Sequence, residues 1–178
     1  MNAHFLLGFL SFFVVSSPKT LIDFEKKGEI NKWQVVDDGV MGGLSQGSLH
    51  LSSEGKAIFE GDVSTANNGG FSSIRSSFSA QELKDFSSFT LRIKGDGKKY
   101  QFRVKENAKD YFSYIIEFQT SGEWETIELP FALLYPSFRG QRLNKSNFSG
   151  IQLEEVAFLV GNKKTEHFRI EIAQIGMK

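Results

Sequence analysis

An all-β fold, built as an antiparallel β-sandwich, is what this sequence predicts, and three observations predict it. Apolar and polar residues alternate with a period of two in several separate runs, the pattern of strands with one face on a core and the other in water. Clusters of Gly, Asp, Asn and Ser fall between those runs at short, regular spacing. A helical period is almost absent, which leaves many short strands as the main material.

The elements follow in order. Phe5 to Val15, FLLGFLSFFVV, is apolar and has the length of a signal-peptide hydrophobic region, too short to span a bilayer. Ser16 and Ser17 supply small residues where cleavage would occur, but MNAH lacks the basic residue that normally opens a signal. Residues 1–18 are therefore read as an apolar N-terminal segment and possible signal peptide. A break at Pro18 sets them off from a single β-sandwich domain over 19–178, whose core they are not expected to enter. The segment favours an exported or membrane-associated protein, with a cytoplasmic one as the alternative. It contains no arginine, so it does not read as a mitochondrial presequence.

Two glycine-rich stretches come next, WQVVDDGVMGGLSQG over 33–47 and FEGDVSTANNGGFSSIRSSF over 59–78. Asp37-Asp38-Gly39 and Asn67-Asn68-Gly69-Gly70 are turn signals, because Asp and Asn bond their own backbone and tolerate positive φ. Strands are expected at Gly47 to Ser52, Lys56 to Val63 and Phe71 to Ser77. AQELKDF, from Ala80 to Phe86, predicts a turn or two of helix capped by Ser79. Phe89, Leu91 and Ile93 share one parity; so do Tyr100, Phe102 and Val104, then Phe112, Tyr114, Ile116 and Phe118. Gly95-Asp96-Gly97 and Ser121-Gly122 sit where hairpins should turn. Further strands are expected at Glu123 to Leu129, Ile151 to Val160, and Phe168 to Ile172. Pro130 to Gly150 is a long connection with little strand pattern, and its Phe131, Leu134, Tyr135 and Phe138 predict that it folds against one end of the sandwich.

Composition excludes several kinds of function. Lys plus Arg and Asp plus Glu both total 21, and that balance argues against a dedicated basic surface for nucleic acid, though it leaves room for a local patch. Without cysteine there are no disulfides, thiolate nucleophiles or zinc–sulfur sites. His4, His50 and His167 match no metal-ligand spacing, and neither a GxSxG elbow nor a phosphate loop occurs. The expectation is a protein with no catalytic residues, no cofactor and no metal.

Asp37 and Asp38 suit a calcium site, which takes carboxylate and carbonyl oxygens, but an Asx turn or an ion pair with Arg75 or Arg139 is the favoured reading. As adjacent residues in an extended segment they fit the paired carboxylates of a glycoside hydrolase poorly. Asn67 and Asn68 open a loop suited to an anion or a partner's backbone, with a tight structural loop favoured. Arg75 and Arg139 are bidentate donors for a carboxylate, structural first and partner-binding second. Trp33 and Trp124 read as core packing before sugar stacking. The two glycine-rich loops are expected to meet and to be locked by an Asp–Arg contact.

These residues also carry a resemblance. VDDGVMGGLSQG, then F-x-G-x-V-S and NNGGFSSIRS, resembles the signature of the complex I intermediate-associated protein 30 family. The agreement continues through LRIKGDGKKYQFRVK, GEWETIELPF, PSFRGQRL and FRIEIAQI, from about Leu21 to the last residues, with a bacterial-type member indicated. The resemblance implies a jelly-roll-like sandwich similar to galactose-binding-like domains. It also implies a non-enzymatic, chaperone-like role in assembling respiratory complex I (NADH dehydrogenase), by binding an unassembled subunit or assembly intermediate. The 37–47, 67–75 and 131–143 loops would present the partner surface, with Met41, Leu44, Phe71 and Phe138 as apolar contacts beside Asp37, Asp38, Asn67, Asn68, Arg75 and Arg139. The alternative is an exported carbohydrate-binding module with a sugar ligand. Coplanar exposed aromatics would favour the sugar, and an apolar patch rimmed by charge the protein.

Overall fold

Strands form where the period-two runs fall. A computed structural model describes residues 17–178, so the expectations for Phe5 to Val15 lie outside the described residues. In chain order the strands are β1 (Lys19–Asp23), β2 (Gln34–Asp37), β3 (Gln46–Leu51), β4 (Ala57–Val63), β5 (Ser72–Glu82), β6 (Ser88–Lys94) and β7 (Lys99–Lys105). They continue as β8 (Ser113–Gln119), β9 (Trp124–Pro130), β10 (Tyr135–Phe138), β11 (Gln141–Arg142), β12 (Gln152–Val160) and β13 (Glu166–Met177). One sheet has the order β3-β4-β13-β6-β9, with β1 also paired to β13; the other runs β11-β10-β8-β7-β12-β5-β2. Every pairing is antiparallel.

The sheets face each other across a phenylalanine-rich core. Phe59, Phe89, Leu91, Phe168 and Ile170 come from the first sheet; Ile74, Phe102, Val156 and Phe158 come from the second, and none is exposed. Phe89 meets Phe102 edge-on across the gap at 5.2 Å, and Phe102 meets Phe158 at 5.4 Å. Burying each such ring contributes about 1.5–3 kcal/mol. In β13 the register with β6 shifts between Ile172 and Gln174, so Ala173 is a bulge residue. The bulge turns the inward set from Phe168, Ile170 and Ile172 to Ile175 and Met177, all of them buried.

Three expectations are corrected. Ala80 to Phe86 is not helical: β5 runs on to Glu82, because Gln81 and Glu82 pair with Leu153 and Gln152 of β12, and tertiary pairing overrides a weak helical preference. The turn at 95–98 is not a hairpin, since β6 belongs to one sheet and β7 to the other; the 120–123 turn likewise passes from β8 to β9 across the sandwich. Both are arches, and they touch where Thr120 donates from its backbone N–H and its hydroxyl to the Lys98 carbonyl at 3.1 and 2.9 Å. The 130–150 stretch does fold onto one end through buried Phe131, Leu134 and Phe148, but it also contributes β10, which pairs with β8 and extends the sheet.

Candidate partner-binding groove

The two glycine-rich loops meet on a buried carboxylate. Asp38 follows β2, opens a short 3-10 turn and is fully buried. Its Oδ1 accepts the Ser45 N–H at 3.0 Å; its Oδ2 accepts the Ser45 hydroxyl at 2.5 Å and the backbone N–H groups of Gly70 and Phe71 at 2.6 and 3.2 Å. Asp37 accepts from the Gly47 N–H at 3.0 Å and from the Ser72 hydroxyl. Burial alone would raise the Asp38 pKa, but the Ser45 hydroxyl and the N–H donors of Gly70, Ser45 and Phe71 outweigh it and hold the carboxyl below its usual value. Donors converging on these oxygens are the opposite of a calcium cradle. The fit requires glycine at 43 and 69, where an added Cβ would fall 2.2 and 2.6 Å from the Asp38 oxygens.

The expected Asp–Arg lock is therefore corrected: the loops do meet, but they are joined by carboxylate-to-backbone bonds. Arg75 lies three positions along β5 from Ser72, and an odd step along a strand reverses the face. Ser72 is buried and faces the half-buried Asp37, while Arg75 is exposed on the outer side, opposite Gln34 of β2.

That outer side of the seven-stranded sheet floors a groove of about 490 Å³. Register builds the floor in rows. Ala157 of β12 stands between Arg75 of β5 and Arg103 of β7; Leu159 lies between Ser73 and Gln101, and Glu155 between Ser77 and Lys105. Met41 and Phe71 form one wall, and Tyr111, Phe112, Phe138 and Arg139 the other. Glu155, only 7% exposed, accepts from the Ser77 hydroxyl at 3.0 Å and lies 3.6 Å from Lys105 Nζ. Arg103 donates from Nε to Gln101 Oε1 at 3.0 Å. Among the described residues neither Arg75, Arg103 nor Arg139 has a carboxylate within ion-pair distance. Burial pulls the Arg103 pKa down from its usual value, but a guanidinium starts so high that it stays charged.

Five of the ten candidate residues line this groove: Met41, Phe71, Arg75, Phe138 and Arg139. Asp37 and Asp38 sit behind the loop wall as structural acceptors. Leu44 is 59% exposed, and Asn67 and Asn68 form an exposed turn with φ of 55° and 60°; none of the three is part of the lining. Sequence reading missed Arg103, Lys105, Glu155 and Tyr111. The available signal was the parity of β7, which puts Gln101, Arg103 and Lys105 together on the outer face. Trp33 packs in the core between Phe24 and Phe158, with ring centroids 5.2 and 6.3 Å away, whereas Trp124 lies under Arg92 on the other sheet.

Comparison with known proteins gives two kinds of likeness. Residues 22–172 match the family described as complex I intermediate-associated protein 30. The mouse protein named complex I intermediate-associated protein 30, mitochondrial, is 21% identical over 92% of this chain and 57% of its own length. A Caenorhabditis elegans protein named as a probable counterpart is 24% identical over 86% of this chain and 52% of its own. The chain thus spans about half the length of these curated relatives. Among solved structures, the family 11 carbohydrate-binding module of a Clostridium thermocellum cellulosomal cellulase superposes with a TM-score of 0.66 at 17% identity, covering 90% of this chain and 94% of that one. The same module in complex with a mixed-linked β-1,3-1,4 tetrasaccharide gives 0.64 at 17%, with the same coverage. That likeness is one of fold, an antiparallel jelly-roll-like sandwich of the galactose-binding-like kind.

Proposed function

The chain belongs to the complex I intermediate-associated protein 30 family, and from that premise we propose that it is a non-catalytic, chaperone-like protein-binding domain that assists assembly of respiratory complex I. An unassembled subunit or assembly intermediate occupies the groove on the seven-stranded sheet. The observation that carries the reading is the family match over 22–172, and the groove supplies a surface for the role: an apolar wall on each side of a floor bearing unpaired guanidinium groups. Interfaces of this kind combine buried aromatic and Arg anchors with a polar surround. The aromatic rings of the groove do not form a platform for sugar stacking, since Tyr111 stands at 82° to Phe138 and at 66° to Phe112. We infer a location at the membrane that carries the complex; among the described residues no helix is long and apolar enough to cross one.

Cross-linking of the tagged full chain in its own host, followed by mass spectrometry, tests the reading. Complex I subunits are expected among the partners of the wild type and are expected to be lost from Ala157→Trp, which fills the floor between the two arginines. Absence of such subunits from the wild-type sample would refute the assembly role.

A further inference from the structure

We infer that the groove takes an extended acidic segment of the partner polypeptide, seating a carboxylate between Arg75 and Arg103 above Ala157 and a neighbouring apolar side chain against Tyr111 and Phe138. This rests on the protein-partner reading and names what the partner presents.

Charge placement carries the argument. The chain is neutral, with 21 cationic and 21 acidic residues, yet the groove gathers Arg75, Arg103, Lys105 and Arg139 around one carboxylate, Glu155. Glu155 is already engaged by Lys105 and Ser77. Elsewhere Arg169 holds Glu60 and Glu171, Lys98 holds Asp96, and Lys56 holds Glu25, while Arg92 lies over Trp124 and Arg142 over Tyr135. Three of the arginines without a carboxylate at ion-pair distance, Arg75, Arg103 and Arg139, line this one cavity. Taking a guanidinium out of water is costly unless an anion meets it, and Arg103 has only the neutral oxygen of Gln101.

Geometry selects the anion. Arg75 and Arg103 flank Ala157 from the strands on either side, so their backbones stand about 9–10 Å apart on a shared face. The alanine between them leaves room for a small planar group, and a carboxylate takes the fork of a guanidinium in bidentate fashion. An extended peptide sends alternate side chains to the same side, so it can present acid and apolar groups to the two parts of the groove in turn. The near-perpendicular Tyr111 and Phe138 rings form a notch for one side chain.

The test is fluorescence anisotropy on the full chain with three probes: a labelled peptide of alternating Glu and Phe, its Lys-for-Glu counterpart, and a labelled oligogalacturonate. The acidic peptide is expected to bind, and more weakly as salt rises. Arg103→Gln should weaken it by about thirtyfold, the lower range for removing one partner of a desolvated charge pair. Arg103→Lys should recover only part of this, because an ammonium lacks the planar fork. Arg75→Gln, at an exposed position, should weaken binding while leaving the melting temperature unchanged, which separates binding from folding. Arg92→Gln, on the other sheet, should bind as the wild type does. The inference is overturned if the Lys peptide or the oligogalacturonate binds as tightly as the acidic peptide, if none binds, or if Arg75→Gln and Arg103→Gln bind unchanged. Complex I subunits recovered by cross-linking alongside any of those results would sink the acidic segment alone; their absence would sink the reading of the groove itself.

Discussion

Asp38 shows how one side chain can hold two distant segments together. Four hydrogen bonds reach its oxygens from Ser45, Gly70 and Phe71, so the second loop is anchored through its backbone. Because the folded-state pKa lies below the usual 3.8, the stabilisation is fully present above that value and is lost as pH falls through the lower, folded one. Urea unfolding should therefore show wild-type stability declining below about pH 4, with Asp38→Asn lacking that share of the decline. At neutral pH the same substitution should cost about 2–3 kcal/mol, because an amide turns one NH2 toward N–H donors. A turn at Asp37-Asp38-Gly39 and the meeting of the loops were legible, but the expected Asx bond is replaced by a 3-10 turn whose two carboxylates accept from residues 7 to 35 positions away. The identity of the bond between the loops was not legible, since a carboxylate near an arginine in sequence reads as a pair until strand parity is applied to Arg75.

The arches show where element-level reading stops. Period-two alternation located most of the strands, because it depends only on one face being buried. It does not say which sheet a strand joins, and Gly95-Asp96-Gly97 serves an arch as well as a hairpin. What distinguishes the arch is Asp96, whose carboxylate accepts from the Lys98 ammonium and from the Tyr100 hydroxyl at 2.8 and 3.0 Å, and from the Arg169 backbone N–H at 3.0 Å. Arg169 belongs to β13 of one sheet and Tyr100 to β7 of the other, so the bonds fasten the sheets at that end. Asp96→Ala should lower stability by about 1–3 kcal/mol through the unsatisfied Tyr100 and Arg169 donors, read as an earlier midpoint in urea. Glu117→Ala, which breaks an exposed pair with Lys99, should cost less than about 1 kcal/mol. Equal midpoints for the two variants would show that Asp96 does not fasten the sheets. The groove was illegible at this scale for a related reason: an outward arginine on a strand looks the same in sequence whether it faces open water or a cavity.

For the molecule as a whole, the sandwich was predictable because parity, turn spacing and the absence of helical period agree with one another. Its closure depends on β13, which pairs with β4, β6 and β1. A chain ending at Thr165 is expected to show no near-UV circular dichroism from the core aromatics, and a native-like spectrum from it would contradict the central place given to β13. The order of the strands also has a consequence in time. A polypeptide emerging from the ribosome must carry β1, β4 and β6, with Phe59, Leu91 and Ile93 uncovered, until the segment that joins them has been made. Vectorial synthesis thus leaves a long window of exposed apolar edges. The nascent sandwich is itself in need of shelter until β13 has been made.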